Sequence, residues 1–374
     1  MRLRVTVVGP APPLRGGIAH YTAALVRALR LRHAVQVVGL RRQYPRLLFP
    51  GTTETDQSRV GIELACDARV DPLSPWSWPA VAKAIRTFAP DVIVLAWWQP
   101  ALGAVLATFA RLARGRSRAR LVFLCHNVAA HDATPLDRAL TRCAFRCADA
   151  AIVHSDADQE RLRRTRPSLL QLHTKHPAYD LAEFGPRLEA EQARAKLGLA
   201  GDVVLFFGLV RRYKGLSDLL RAMPRILAAH RCTLVVAGEF YEPRPPYEAL
   251  ARELGISTQV RLLDRYVPNE EVGVYFSAAD VVVAPYRAAT QSGVVALAQQ
   301  FHRPAVVSRV GGLPDMVVEG VTGLSVPAGD RDALAIAVLR IYQEGVDVWR
   351  ARVRQAQVTR WGEEVDAIER LATP

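Results

Sequence analysis

A short basic loop between an apolar run and a helical run is the part of the sequence best suited to bind an anion. In FFGLVRRYKGLSDLL, residues 206–220, Gly208 would let the backbone turn tightly after a strand. The first N–H groups of the following helix would favour negative charge. Arg211, Arg212 and Lys214 add three cations at that point. A diphosphate suits such a loop best, although a basic loop on an ordinary surface is the alternative.

A second loop meets the start of a helix within residues 280–323. The stretch 290–294 reads TQSGV, and free backbone N–H groups at a helix start can hold a sugar hydroxyl or a phosphate oxygen. The residues expected to bind there are Thr290, Gln291, Ser292, Gly293 and Val294. An ordinary helix capped by the Ser292 hydroxyl is the alternative.

Two places in the first half could face the same ligand. His126 directly follows the apolar run LVFLC and would lie at the carboxyl edge of a parallel sheet, where a lone histidine is more often structural. Gly16 and Gly17 lie between the first strand and the first helix, but they are not part of a G-x-G-x-x-G motif, so dinucleotide binding is disfavoured.

These segments together resemble the family 4 glycosyltransferases, the bacterial group 1 enzymes of the GT-B fold. Members often read F-G-x-(I/V/L)-R-x-Y-K-G at the basic loop. They later carry G-K-P-V-V-x-(S/T)-x-x-G-G-x-(P/A)-(E/D), which here is HRPAVVSRVGGLPD. The resemblance is strongest over about residues 203–325. It implies an α/β protein of two Rossmann-like, doubly wound domains facing a central cleft, with the nucleotide sugar on the C-terminal domain and the acceptor on the N-terminal one.

The resemblance also implies roles for individual residues. Arg211 and Lys214 match the pair that grips the donor diphosphate and stabilises the charge of the leaving group, whereas Arg212 stands where the family often has proline. His126 would orient the donor sugar, with Asn127 and His131 as weaker candidates. Gly16 and Gly17 would lie near the donor phosphates and the acceptor. The resemblance further implies that the anomeric configuration is retained, through front-side attack by the acceptor hydroxyl.

The sequence departs from the family at two positions. Most members carry two glutamates eight residues apart, and alignment on Gly293 puts Thr290 and Ala298 there, neither of which has a carboxylate. A similar T-Q-S-G-V loop occurs in a subset of the family, so we interpret this loop as a variant donor site. A degenerate GT-B protein that only binds or acts as a scaffold is the alternative. A sugar-nucleotide epimerase would need acid and base groups that the sequence does not offer convincingly.

Two Asp-x-Asp pairs raise the possibility of a metal-dependent transferase. Both Asp156-Ala157-Asp158 and Asp330-Arg331-Asp332 stand where a loop meets a helix, so we interpret them as helix caps. Fixed cations and helix ends would neutralise the donor phosphates. We therefore expect no metal and no cofactor besides the nucleotide-sugar substrate.

The elements that must position these residues are short apolar strands that alternate with amphipathic helices. This alternation is typical of parallel sheets covered on both faces. This pattern predicts domains at 1–185 and 186–350, with a linker near Pro177–Ala200. Residues 351–374 would form a C-terminal helix that crosses back to the first domain and is anchored by Trp361. The predicted strands are Arg4–Val8, Val35–Gly39, Asp91–Ala96, Leu121–Cys125, Ala150–Val153, Val203–Phe207, Thr233–Ala237, Val260–Leu262, Val281–Pro285 and Ala305–Ser308.

The net positive charge lies entirely in the first half of the chain. Residues 1–180 carry 26 Lys and Arg against 13 Asp and Glu, whereas residues 181–374 carry 23 of each. RLARGRSRAR, residues 111–120, holds five arginines. This excess favours an anionic acceptor glycan or glycolipid, or peripheral contact with an anionic membrane; a solvated arginine-rich surface is the alternative. Nucleic acid is disfavoured, because no aromatic residues are interleaved and no reader motif is present.

The remaining features concern the compartment. The N-terminal apolar run is too short for a signal peptide. The span-like segment Val92–Ala110 is better interpreted as a buried strand, a turn and a helix that starts at Pro100. We interpret all five cysteines as buried thiols in a reducing compartment. The chain is therefore expected in the cytoplasm, with peripheral attachment to the inner face of the membrane as a further option.

Overall fold

The computed structural model describes residues 2–43, 53–59, 63–128, 134–356 and 360–372. The chain forms two compact units: Met1–Asp56, Gly61–Pro177 and Thr359–Pro374 make one, and Gln57–Val60 and Ala178–Val358 make the other. The boundary expected at residue 185 falls inside the second unit. Residues 178–200 are not a bare linker, because Tyr179 and Phe184 are buried in the core of that unit.

The first unit is built on a parallel sheet. Its strands lie in the order β3-β2-β1-β4-β5-β6-β7 within the described ranges. The strands are β1 Arg4–Gly9, β2 Ala34–Leu40, β3 Ala68–Val70, β4 Val92–Trp97, β5 Arg120–Cys125, β6 Ala150–Val153 and β7 Leu170–His173. The helices between them are α1 Gly17–Arg30, α2 Trp78–Phe88, α3 Pro100–Arg114, α4 Pro135–Phe145 and α5 Asp156–Thr165.

The second unit repeats this architecture with fewer strands. Its parallel sheet has the order β10-β9-β8-β11-β12-β13. The strands are β8 Asp202–Phe207, β9 Cys232–Ala237, β10 Val260–Leu263, β11 Val281–Ala284, β12 Ala305–Ser308 and β13 Gly323–Val326. The helices are α6 Ala190–Lys196, α7 Leu216–Ala229, α8 Pro245–Glu253, α9 Asn269–Ala278, α10 Gly293–Gln300, α11 Arg331–Glu344 and α12 Val346–Gln355. A further helix, α13 Trp361–Ala372, belongs to the first unit.

The two faces of the first sheet carry different helices. Successive strand residues point to opposite faces, and Val8, Ile93 and Leu95 share a core with apolar side chains of α2, α3 and α4. Val7 and Val94, one position away along the strands, share a second core with α1 and α13. The helices α2, α3 and α4, with Leu162 of α5 in the same core, therefore form one layer, and α1 and α13 form the other.

Helix α13 carries a fully buried glutamate into the first unit. The Thr174 hydroxyl donates to Glu364 Oε2 at 2.6 Å, and His154 Nε2 lies 3.3 Å from Glu364 Oε1. Burial alone would raise the pKa of Glu364, but His154, Thr174 and Tyr21 together keep that pKa below its usual value. The Trp361 ring packs edge-on against Tyr21, with the centroids 4.8 Å apart. Partners from α1, β7 and the end of β6 thus hold α13 in place.

The structure corrects some expectations and confirms others. The segment Val92–Ala110 forms β4 followed by most of α3, as the sequence suggested. Across the described ranges, no helix is both long enough and apolar enough to span a bilayer. The expectation that all cysteines are buried is wrong for three of them. Cys143 is exposed and Cys66 and Cys147 are only partly buried; on α4, the neighbouring Ala144 and Phe145 face the core instead.

Candidate functional site

The best-formed site in the second unit lies where the strand order reverses. Strands β8 and β11 are neighbours, but the chain continues from β8 to β9 on one side and from β11 to β12 on the other. Ligands of doubly wound sheets bind outside the carboxyl ends of the strands at such a point. Gly208 directly follows β8, and Pro285 and Tyr286 directly follow β11. The basic loop predicted from the sequence therefore stands at the place where the topology opens a crevice.

Two glycines let the basic loop pack closely. Gly208 has φ +88°, and a Cβ added there would lie 3.3 Å from Lys214 Nζ and 3.6 Å from Val294 Cγ2. Gly215 has φ +69°, and a Cβ there would lie only 2.0 Å from the carbonyl oxygen of Pro285. Both positions combine a left-handed backbone with a close neighbour, so glycine is required at each. The loop thereby brings Lys214 beside the end of β11 and the start of α10.

The loop cations have aromatic neighbours and no acidic partners. The Arg211 guanidinium carbon lies 4.7 Å from the Tyr241 ring centroid, and Lys214 Nζ lies 5.4 Å from that of Tyr286. Among the described residues, no carboxylate lies within ion-pair distance of either cation. The nearby Arg287 differs, because it makes a two-pronged ion pair with Asp218 at 2.8 and 2.9 Å. Arg211 and Lys214 are therefore available to an anionic ligand.

Burial makes the charge of Lys214 costly in the empty site. Desolvation first, and repulsion from Arg211 second, lower the pKa of Lys214 to about 8. A bound anion would restore a favourable environment for the ammonium group. The position is thus poised to gain from a negatively charged ligand.

The start of α10 is not an ordinary capped helix. Ser292 occupies the N-cap position, but its hydroxyl makes no capping hydrogen bond and lies 3.4 Å from the Tyr286 hydroxyl. The first turn contains no acidic residue, and the buried Nε2 of Gln291 has no hydrogen-bond partner among the described residues. A Cβ on Gly293 would lie 3.2 Å from the Tyr179 hydroxyl, so this turn is tightly packed. The capped-helix alternative therefore holds for the position of Ser292 but not for its hydroxyl.

A glycine pair supports the loop before α10. The N–H of Gly312 donates to the carbonyl oxygen of Thr290 at 3.0 Å. A Cβ on Gly311 would lie 1.7 Å from the carbonyl oxygen of Ala289. Thr290 is buried, and Ala298 packs inside the core of the unit. The V-G-G motif of the sequence thus fixes the backbone of the T-Q-S-G-V loop.

The remaining site candidates belong to the first unit. The N–H of His126, directly after β5, donates to the carbonyl oxygen of Trp97 at 2.8 Å, and its ring centroid lies 4.7 Å from that of Tyr21. Burial first, and then His154 and His176, hold the pKa of His126 well below its usual value, so the imidazole is neutral. A neutral His126 can donate a hydrogen bond to a ligand or accept one from it, but it cannot supply a positive charge.

The glycine loop of the first unit ends in another open helix start. Gly16 has φ +113° and occupies the N-cap position of α1, which begins at Gly17. No side chain caps this helix, and its first turn has no acidic residue. Its N–H groups follow β1, which neighbours β4 where the strand order of the first sheet reverses.

Both Asp-x-Asp pairs lie at helix starts, as the sequence indicated, with Asp156 and Asp158 in a first turn capped by Ser155 and with Asp330 itself as a cap. Ser155 Oγ accepts from the Asp158 N–H at 3.2 Å at the start of α5, and Asp330 Oδ1 accepts from the Ala333 N–H at 2.9 Å at the start of α11. His131 lies outside the described residues. Sequence reasoning missed Tyr241 and Tyr286, which contact the two cations. Tyr286 was within reach, because it comes directly after a predicted strand and a proline.

Two family models and several known proteins match this chain. Residues 201–344 match the family model described as glycosyl transferases group 1, and residues 15–183 match that of glycosyltransferase family 4. D-inositol 3-phosphate glycosyltransferase 1 from Catenulispora acidiphila is 35% identical over 212 residues, which cover 53% of this chain and 50% of the relative. A second such enzyme, from Saccharomonospora viridis, is 35% identical over 239 residues, 59% of this chain and 54% of the relative. The chain thus spans about half the length of the curated relatives it matches.

Solved structures share the fold over nearly the whole chain. Sucrose-phosphate synthase from Thermosynechococcus elongatus superposes with a TM-score of 0.73 at 21% identity, covering 99% of this chain and 98% of the other. HepE from Anabaena, in complex with UDP and glucose, superposes with a TM-score of 0.74 at 18% identity, covering 99% of both chains. At these identities the likeness concerns the fold.

Proposed function

Because the chain belongs to the group 1 glycosyltransferases and has the two-domain GT-B fold, we propose that it is a retaining hexosyltransferase. It moves a sugar from a nucleoside-diphosphate sugar to an acceptor hydroxyl. The observation that carries this proposal is the pair Arg211 and Lys214, which stands without acidic partners among the described residues at the switch point of the second sheet.

The proposed chemistry depends on charge that develops as the donor bond breaks. Departure of the nucleoside diphosphate places negative charge on its β-phosphate. Arg211, Lys214 and the open start of α10 are fixed before the reaction, so they stabilise that charge without reorganisation. We propose that these groups take the place of a metal ion. The loop Thr290–Val294 would contact the donor sugar, and His126 would orient the sugar hydroxyls.

The acceptor side is proposed for the first unit. The curated relatives are named for inositol 3-phosphate, an anionic acceptor, and HepE was solved with UDP and glucose. The net positive charge of this half of the chain suits an anionic or lipid-linked acceptor glycan. The five cysteines are free thiols, which supports a reducing, cytoplasmic setting.

A thermal-shift panel of UDP-, GDP- and ADP-sugars tests the proposed donor. We expect one nucleotide class to stabilise the protein selectively, because a ligand that binds only the folded state raises its stability. Lys214→Met should abolish this shift, whereas Lys196→Met, at an exposed lysine of the same unit, should not. Slow release of free sugar from the stabilising donor would report its activation. Absence of any shift would refute the donor site, and binding with neither hydrolysis nor transfer would point instead to a degenerate binding protein.

Binding of the diphosphate should depend on pH in a defined direction. Lys214 is charged below its pKa of about 8, so binding there needs no proton exchange. Above that pH the empty site loses its proton, and binding must take one up, so Kd should rise by up to about tenfold per pH unit. The diphosphate of a nucleotide sugar is esterified at both ends and stays fully ionised throughout this range, so the ligand's diphosphate exchanges no proton. Calorimetry in buffers of different ionisation enthalpy measures the uptake, which Lys214→Met should remove; a Kd that stays constant well above pH 8 contradicts the assignment.

A further inference from the structure

The outer surface of the layer formed by α2, α3 and α4 combines positive charge with exposed apolar side chains. Helices α2 and α3 contain no acidic residue, and the single carboxylate of α4, Asp137, is used in capping Thr134. Exposed cations stand on all three helices and directly after α4: Lys83, Arg86, Arg111, Arg138, Arg142 and Arg146. None of these six has a carboxylate partner within the described ranges. Part of the charge excess of the first half therefore lies on this surface.

The same layer carries large apolar side chains in solvent. Trp76, in the turn before α2, is 92% exposed, and Leu136, in the first turn of α4, is 67% exposed. Leu112, near the end of α3, and Leu73 are about half exposed. So large an exposed fraction is unusual for tryptophan, which is highly buried on average. Tryptophan and arginine share a preference for the boundary between lipid head groups and water.

We propose that the α2–α3–α4 surface docks on an anionic phospholipid bilayer. The cations draw the surface to the lipid phosphates, and Trp76 and Leu136 enter the head-group region. The exposed apolar side chains favour a bilayer over nucleic acid as the partner. Nucleic acid would bind the cations but would gain nothing from the exposed apolar side chains. This docking proposal depends on the proposed function only for its biological purpose, which is to bring the first unit to a lipid-linked acceptor.

Vesicle binding tests the surface without any nucleotide sugar. The full chain should sediment with phosphatidylglycerol vesicles at low salt, bind phosphatidylcholine weakly, and be released near 0.5 M salt, where screening is within about 3–5 Å. The variant Arg138→Glu with Arg142→Glu should reduce binding by about tenfold or more. The matched control, Arg231→Glu with Arg252→Glu, makes the same charge change at exposed arginines of the second unit and should bind as the unaltered protein does.

A second pair of variants tests the apolar contact. Trp76→Ala should weaken vesicle binding several-fold, whereas Leu31→Ala, at a residue 86% exposed after α1, should not. The proposal is overturned if the unaltered chain does not bind anionic vesicles. It is also overturned if both arginine pairs weaken binding equally, or if duplex DNA binds as tightly as vesicles and Trp76→Ala weakens neither. Nucleotide-sugar thermal shifts measured on the same variants keep this outcome separate from that of the donor site.

Discussion

Replacement of Lys214 by alanine is expected to lower turnover by about 100-fold or more, because on the proposed mechanism it removes a fixed cation aimed at charge that develops only in the transition state. Lys214 has no acidic partner among the described residues, so the substitution breaks no ion pair. Its burial in the empty site is unfavourable, as the pKa of about 8 shows. Folding stability should therefore change little or improve slightly. Steady-state kinetics with saturating donor, together with urea unfolding, measure both effects.

The control for this experiment is Lys196→Ala, which removes an exposed lysine of the same unit and should leave turnover unchanged. Lys214→Arg is informative as well, since it keeps the charge but changes its shape, and it should recover part of the lost rate. A Lys214→Ala protein with unaltered kcat would remove the proposed role of this residue in leaving-group stabilisation.

The variant Gly215→Ala should lose both stability and donor binding. A left-handed residue other than glycine costs about 1–2 kcal/mol by itself. At Gly215 the added Cβ would in addition lie 2.0 Å from the Pro285 carbonyl oxygen, so the loop or the end of β11 must move. We expect a total cost of about 3 kcal/mol or more and at least tenfold weaker nucleotide binding, since Arg211 and Lys214 move with the loop.

Gly201→Ala provides the matched comparison. Gly201 has nearly the same backbone angle, φ +74° against +69°, and lies in the same unit, but a Cβ there meets nothing within 4 Å. Only the conformational cost of about 1–2 kcal/mol should remain, with no change in nucleotide affinity. Equal losses in the two variants would show that the close approach to Pro285 is unimportant.

Much of the fold was within reach of the sequence, because its central elements are strongly periodic. Strands β6 and β12 have the bounds predicted from their apolar runs. Strands β3, β7 and β13 were missed. β3 has only three residues, and β7 is exposed at both of its ends, so neither carries the buried apolar run that marks a central strand.

The candidate site was predictable where local chemistry decides it. The basic loop reveals itself by its glycines and cations, which act over a few residues of sequence. Tyr241 and Tyr286 reach the cations only because β8, β9 and β11 are neighbours in the sheet, and strand order is not written in any local pattern. The unused Ser292 hydroxyl depends likewise on the position of Tyr286 across the loop. Contacts between residues far apart in the chain, rather than the residue types, are what could not be predicted from the sequence.

Glu364 has a consequence for the order in which the protein is completed. Its carboxylate is buried among residues of the first unit, yet α13 leaves the ribosome only after the whole second unit has been made. Until then, the strand face that α13 covers has α1 as its helical neighbour, and His154 and Thr174 lack their acidic partner. The first unit, which is synthesised first, can therefore complete its fold only when the last helix has been made. Until then, the apolar sheet face that α13 will cover stays partly exposed and is prone to aggregation.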